Sequence, residues 1–253
     1  MLEDRIQQAA EIICSAKRVT AFTGAGISAE SGIPPFRGPD GLWSRYDPET
    51  LDIQHFQRDP LKSWITIREI FYEKFQAASP NAAHLALADM EAHDHLHCLI
   101  TQNIDNLHHR AGSSNIIEYH GSSRRLICTY CERLYPVTLE ILEYLPPPCT
   151  ECGHVLKPDF VFFGEPIPFQ AHREALLETQ RSDIWLIIGT TGEVYPAATL
   201  PVEAKAHGKR IIEINISPSN YTSQITDLFL QGTAVSMMSE LNKRIHKLDQ
   251  LHG

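Results

Sequence analysis

The sequence predicts an α/β fold: a parallel sheet covered by helices on both faces, with a smaller region set apart from it. Three observations carry this expectation. Short, nearly all-apolar runs alternate with helical patterns along most of the 253-residue chain. A glycine-rich turn follows the first of those runs at once. Four cysteines cluster in a segment that breaks the alternation.

Taken in order, the first 17 residues place Leu2, Ile6, Ala9, Ile13 and Ala16 at helical spacing, an amphipathic helix. Strands are expected at residues 19–22, 96–101, 115–118, 184–188 and 210–215, and helices at 80–92, 167–179 and 196–207. Residues 36–79 hold aromatics and an expected helix at 60–76, which makes them a helical excursion. Residues 122–158 carry the four cysteines and a stiff Pro146-Pro147-Pro148 run before the second pair. The last helix, 235–251, sets Met238, Leu241, Ile245 and Leu248 on one stripe. Core packing is the expected use of that stripe, with partner binding the alternative. The expected division is 1–35, 81–121 and 159–253 for the sheet domain. Insertions 36–80 and 122–158 then form the small one.

Composition narrows the function. Lysine and arginine number 22 against 31 aspartates and glutamates, a formal charge of −9. Such a balance argues against nucleic acid, whose phosphates need concentrated positive charge, and no sequence-specific nucleic-acid binding is expected. It suits a basic partner such as a lysine-bearing protein tail. No apolar run reaches the length of a membrane span, and the first helix lacks the pattern of a signal peptide, so a cytoplasmic setting without membrane contact is expected.

Cys128-x2-Cys131 and Cys149-x2-Cys152 are spaced as metal knuckles rather than as a secreted disulfide framework. Four soft thiolates suit one tetrahedral, structural zinc ion with no open position for water. Iron is the chemical alternative; two disulfides or four free thiols are the others. Cys14 and Cys98 read as small core residues.

The remaining unusual residues gather at the carboxyl ends of the expected strands, where an open parallel sheet binds ligands. They are 24–28, 102–105, His120, 189–191 and 215–217. Gly24 and Gly26 let the backbone turn tightly and approach a phosphate, as in a Rossmann-like sheet. The chain then continues as Glu30-Ser31-Gly32-Ile33-Pro34-Pro35-Phe36-Arg37-Gly38, a polar, proline-stiffened loop. A dehydrogenase would have a second strand ending in a ribose-binding acid. Arg37 can reach a phosphate, a ribose or substrate, with a solvated surface arginine as the alternative; Phe36 and Trp43 read first as packing residues, with an aromatic wall beside a ligand as their other use.

Residues 24–34 followed by Phe36-Arg37 resemble the opening signature of the sirtuin family, NAD-dependent protein-lysine deacylases. The match continues in order through Thr101-Gln102-Asn103-Ile104-Asp105-Asn106-Leu107-His108, His120-Gly121, the four cysteines and Lys157-Pro158-Asp159. It ends with Val161-Phe162-Phe163-Gly164-Glu165 and Gly189-Thr190-Thr191 through Tyr195-Pro196-Ala197, covering almost the whole chain. The resemblance implies that Gly24, Ala25, Gly26, Ile27, Ser28, Glu30, Pro35, Phe36, Arg37 and Trp43 enclose the diphosphate and nicotinamide ribose of NAD. Gln102, Asn103, Ile104 and Asp105 would orient that ribose and the carboxamide. Gly189, Thr190, Thr191, Asn215, Ile216, Ser217 and Ala234 would contact the adenosine half. Two departures stand out: Pro35 replaces the family's usual aspartate, and Thr191 its usual serine.

The same resemblance implies a transferase-type reaction. An acyl-lysine oxygen attacks the anomeric carbon as nicotinamide leaves, and a histidine then activates the ribose hydroxyls toward O-acyl-ADP-ribose. His120 is the expected base, since imidazole accepts a proton near neutral pH. Asn103 and Asp105 complete the catalytic group, with Asp105 alternatively a helix-cap residue. Val161, Phe162, Phe163 and Gly164 would form one edge, and Glu193, Val194 and Tyr195 the other, between which an acyl-lysine peptide lies extended. Ile67 and Ile70 fall where a succinyl-selective branch carries tyrosine and arginine. The pocket therefore lacks a fixed cation, and acetyl or longer apolar groups are expected over succinyl. Two alternatives remain open at this point: protein mono-ADP-ribosylation, and a catalytically weak NAD- and peptide-binding scaffold.

Overall fold

The computed structural model of the chain describes residues 1–36 and 41–252. In chain order its strands are β1 (Val19–Thr23), β2 (Cys98–Thr101), β3 (Ile116–Glu118), β4 (Gly121–Cys128), β5 (Leu134–Pro136), β6 (Leu156–Phe160), β7 (Ile184–Ile188), β8 (Arg210–Asn215) and β9 (Leu228–Gln231). Its helices are α1 (Leu2–Ser15), α2 (Ile53–Arg58), α3 (Pro60–Ile67), α4 (Ala82–Ala92), α5 (Leu107–Ala111), α6 (Leu139–Glu143), α7 (Phe169–Arg181), α8 (Thr199–Ala206) and α9 (Ala234–His252).

Every residue of β1, β2 and β7 is buried, because helices cover both faces of the sheet they form. The sheet runs β3-β2-β1-β7-β8-β9, with all five pairings parallel. Counted within the sheet this is the 3-2-1-4-5-6 order of the Rossmann fold. The order in which strands are added reverses between β1 and β7, and the crevice outside their carboxyl ends is the expected ligand site. One face packs under α1, α4 and α9, whose Ile6, Ile13, Leu87, Met238, Leu241 and Ile245 join Leu99, Leu186 and Ile212 in one core. The stripe on α9 is core packing. The other face carries Phe22, Trp185 and Ile187 against Ala175 of α7 and Leu200 of α8.

A third core binds the two stretches that break the alternation. Leu42, Phe56, Trp64, Ile67, Ile70 and Phe71 pack with Leu126, Cys128, Cys149, Leu156 and Phe162, and Ile104 and Leu107 reach it from the sheet domain. The helix expected at 60–76 changes pitch. It is α-helical to Ile67, widens to a π-helix over Arg68–Lys74 and tightens to a 3₁₀ turn over Phe75–Ala77. The ion pairs Arg68–Glu73 and Glu69–Lys74, each five residues apart, follow the wider turn.

The sequence reading misses two features. The edge strand β9 is only four residues long and half-buried in alternation. The cysteine segment contains an antiparallel sheet, β5-β4-β6. Its β4 opens on Gly-Ser-Ser-Arg-Arg and its β6 contains Pro158, both contrary to ordinary strand signals.

Candidate active site and metal centre

The turn after β1 is fixed by contact with the turn after β7. Gly26 N donates to Gly189 O at 2.8 Å, and Gly24 N donates to Ile188 O at 3.0 Å. A Cβ on Gly24 would lie 2.7 Å from Thr190 Cβ, and one on Gly26 would lie 2.7 Å from Gly189 Cα. Gly189, at φ +62°, would place its own Cβ 2.4 Å from Ile27 N. The side-chain room that Gly24 and Gly26 give up is thus taken by the neighbouring loop. That is a more local reason for glycine than approach to a phosphate. Residues 25–31 form a 3₁₀ segment, in which Ile27 and Ser28 are buried.

A polar network crosses from this loop to the residues after β2. Asn103, 7% exposed, donates through Nδ2 to Gly24 O at 3.1 Å and to Ser28 Oγ at 3.2 Å. Ser28 Oγ donates to Asp105 Oδ2 at 2.7 Å, while Leu107 N donates to Asp105 Oδ1 at 2.9 Å. Asp105 therefore caps the start of α5 and joins the crevice network at once. Burial pushes its pKa up, against the lowering effect of those two hydrogen bonds.

Sequence reasoning overlooks His84, which completes the network from behind. Its Nε2 lies 3.3 Å from Ser28 Oγ, and its ring sits 4.9 Å from that of His108. Asn81 positions it by capping α4 and by donating through Nδ2 to Ile27 O at 2.8 Å. Burial pushes His84 down to about 4 and His108 well below the ordinary histidine range, so both are neutral. The available signal is a histidine in the apolar first half of a helix, Ala-Ala-His-Leu-Ala-Leu, after an Asn cap.

His120 follows β3 and stands half-buried at the end of the sheet. Its Nδ1 lies 3.0 Å from Gln102 O. A carbonyl oxygen only accepts, so Nδ1 carries the proton and Nε2 keeps its lone pair. Burial lowers its pKa, partly opposed by that hydrogen bond. Gln102 also donates through Nε2 to Thr190 Oγ1 at 3.1 Å, and Asn215 Nδ2 donates to Thr190 O at 3.0 Å. The ends of β2, β7 and β8 are thereby tied together. Thr191 is exposed, and Ile216 is 66% exposed. Glu30 caps the other side, accepting from Val235 N at 3.2 Å beside buried Ala234.

Phe36, Trp43 and Phe163 form a row, with ring centroids 5.4 Å and 6.0 Å apart. Pro35 O accepts from Leu42 N at 2.9 Å, and Phe36 O from Trp43 N at 3.1 Å. Arg37 lies outside the described residues. In the 161–164 edge, Val161 N donates to His120 O at 2.8 Å, which joins this segment to the histidine. Phe163 is 46% exposed and pairs through its backbone with Leu51 and Ile53. Phe162 points the other way, 1% exposed, with the Lys157 ammonium 4.2 Å from its ring centroid, so it can offer only backbone to a peptide. Lys157, itself buried, also donates to half-buried Glu165 at 3.0 Å and to Phe160 O at 2.6 Å, and this pair shapes the edge. Val194 and Tyr195 are exposed on the facing loop after Glu193. Ile67 and Ile70 lie within the small domain's core, each 1% exposed or less.

The four cysteines converge. Sγ separations are 3.5 Å for Cys128–Cys152, 3.7 Å for Cys131–Cys149 and 3.6 Å for Cys131–Cys152. Disulfides require about 2.0 Å, whereas a tetrahedral ion with sulfur ligands at about 2.3 Å spaces them about 3.8 Å apart. Tyr130 N and Cys131 N both face Cys128 Sγ at 3.5 Å, as in a metal knuckle. His154 is exposed and stacks on Tyr130, leaving the ligand set at four sulfurs.

Comparison with known proteins agrees with this geometry. The profile of the Sir2 family matches residues 24–196. NAD-dependent protein deacylase 2 of Pyrobaculum aerophilum is 44% identical over 242 residues, covering 94% of this chain and 95% of its own. NAD-dependent protein deacylase 1 of Archaeoglobus fulgidus is 45% identical over 238 residues, covering 93% and 96%. A mutant Sir2 homologue in complex with ADP-ribose superposes with a TM-score of 0.91 at 43% identity, over 96% of this chain and 98% of that one. A Sir2 complex with p53 peptide and NAD+ gives 0.85 at 33% identity, over 96% and 98%. On its sequence, its strand order and the residues at its crevice, this chain belongs to the Sir2 family.

Proposed function

We propose that this protein is an NAD-dependent protein-lysine deacylase that releases nicotinamide and forms O-acyl-ADP-ribose. The observation that carries the reading is His120. Burial favours its neutral form, its proton is fixed on Nδ1 by Gln102 O, and its basic Nε2 stands at the strand ends that carry the Asn103–Ser28–Asp105 network. The donor set fits the dinucleotide: amides and hydroxyls of Gln102, Asn103, Ser28 and Thr190 suit a carboxamide and ribose hydroxyls, at the switch point of a Rossmann sheet. When bound, NAD supplies an electrophilic anomeric carbon as nicotinamide departs.

The chain's own residues then have definable tasks. Asn103 and Asp105 hold one face of the ribose in a geometry preset by Ser28 and His84, which limits reorganisation during reaction. His120 Nε2 takes a proton from a ribose hydroxyl. The 161–164 edge and Val194–Tyr195 receive an acyl-lysine peptide in extended form, with Phe163 and Tyr195 as exposed apolar contacts. Ile67 and Ile70 are core residues that add no fixed cation to this region, which favours acetyl or longer apolar groups over succinyl. The four thiolates hold one structural zinc, and a reducing, cytoplasmic setting keeps them available for it.

The test is mass spectrometry of the protein with NAD and acetyl-, longer-acyl- and succinyl-lysine peptides, beside His120→Ala. The expected result is matched release of nicotinamide, deacylated peptide and O-acyl-ADP-ribose, reduced by a factor of about 10²–10⁴ in the variant. ADP-ribose attached to protein without deacylation would instead identify a mono-ADP-ribosyltransferase. Deacylation without NAD would reject the assignment. Metal analysis should find about one zinc per chain.

A further inference from the structure

The far end of the sheet carries a second convergence of metal-binding side chains. Besides the four cysteines, the groupings among the described residues are Asp89–His93–His246 and Cys14–His95–Asp249. Both lie where α1, α4 and α9 meet, beside the connections into the amino ends of β1 and β2. The crevice is at the opposite, carboxyl ends.

We propose that Asp89, His93 and His246 form a second site for a divalent transition-metal ion of the zinc class, pinning α9 to the end of α4. Asp89 and His93 are four residues apart and so project from one face at the end of α4. His246 comes from α9, 157 residues from Asp89 in sequence. His246 Nε2 lies 2.6 Å from Asp89 Oδ2, and His93 Nδ1 lies 3.4 Å from Asp89 Oδ1. The two imidazoles meet edge to face with centroids 4.9 Å apart, and the three ligand atoms lie within 4.8 Å of one another. Bonds of about 2.0–2.1 Å in a tetrahedron set ligand atoms about 3.3 Å apart, so the Asp89–His246 pair must open slightly and His93 must release the Asp89 carbonyl oxygen.

Two further features separate this group from an ordinary hydrogen-bonded pair. A clamp between helices needs one histidine, yet a second imidazole stands beside the same carboxylate: His93 Nδ1 donates to the Asp89 carbonyl oxygen at 2.9 Å and lies 3.4 Å from Oδ1, so a metal would take it from that helix-end hydrogen bond. Asn242 Nδ2 donates to Asp89 Oδ2 at 2.7 Å, the kind of outer partner that orients a metal-binding carboxylate. His93 is exposed, which gives an ion a route from solvent and leaves a fourth position for water. Two imidazoles and one carboxylate suit zinc, cobalt or nickel rather than calcium or magnesium. The neighbouring group is the weaker candidate, because it has one imidazole rather than two and burial holds the Cys14 thiol above its usual range, against the thiolate that a metal needs. Because the proposed ion joins two helices away from the crevice, its work is to stabilise the docking of α9.

The experiment is a cobalt titration of untagged, zinc-loaded protein followed by visible absorption. The expected result is one Co²⁺ per chain beyond the first metal, with weak d–d bands and no new sulfur-to-cobalt charge transfer. Absence of that charge transfer distinguishes filling of this site from exchange at the cysteines. His246→Ala, Asp89→Asn and His93→Ala should each weaken binding by a factor of about 10–100, and His95→Ala should leave it unchanged. At a hundredfold excess over Kd the metal should raise Tm by roughly 5–10 °C in the parent and not in His93→Ala. Deacylation without added Co²⁺ should be the same in parent and His93→Ala. Since His93 is exposed, that variant is expected to fold normally. Failure to bind a second ion, or binding that survives both His93→Ala and His246→Ala, would overturn the proposal.

Discussion

The crevice and the cysteine module are built by different means, and the contrast shows which part of the molecule each kind of force can hold. At the crevice, the turns after β1 and β7 approach until only glycine fits, on strands whose residues are all buried. Hydrophobic burial and parallel pairing fix that geometry without a ligand. In the module, β4, β5 and β6 make a small sheet of which β5 is mostly exposed, with Leu139 and Tyr144 open to solvent at 76% and 74%. Its fixed point is four converging thiols, so its order should depend on what they hold.

The largest test of this contrast is removal of the proposed zinc by a strong chelator or by Cys149→Ser. Limited proteolysis should then cut between residues 129 and 151, while NAD affinity measured by calorimetry changes by less than about threefold, since binding energy in such modules is folding energy. Equal loss of both properties would break the distinction. Next in size is Gly189→Ala, which adds a clash with Ile27 N to a left-handed backbone position. Its urea midpoint should fall by an amount equivalent to about 3 kcal/mol or more, and NAD binding with it. A near-neutral result would mean that the two turns can separate freely.

The smallest effect concerns pH. The folded-state pKa of His84 is pushed down to about 4 by burial, below the unfolded value of 6.5. Its unfolded form therefore binds more protons between those values. Stability is full above the unfolded value and declines as pH falls toward the folded one. From about pH 7.5 to about pH 5 the loss attributable to this group is on the order of 2 kcal/mol. Urea midpoints at the two pH values, compared with His84→Gln, should show the variant with the flatter response; parallel slopes would remove His84 from the account.

Sheet and crevice were legible to different depths. Five of the six strands of the parallel sheet announce themselves as short apolar runs, and motif order places Gly24, Asn103, Asp105 and His120 at their carboxyl ends. Strand β9 escapes because four half-buried residues carry too little pattern, and β4 and β6 because their polar and proline-bearing sequences follow the cysteine scaffold rather than strand preference. His84 escapes for another reason. A buried histidine in an apolar helix reads as packing until its distance to Ser28 is known. Aromatic spacing at 60–76 gives the helix but not its π-turn, since pitch depends on tertiary contacts around Trp64 and Tyr72.

Trp43, partly open between Phe36 and Phe163, differs from Trp64 and Trp185, which are both sealed from solvent. Its indole consequently stands at the seam where the loop ending at Phe36 meets the 161–164 edge, and its emission should change if a ligand fills either side. An iodide-quenchable tryptophan is thus built into the junction, giving a label-free readout of the order in which the two reactants arrive.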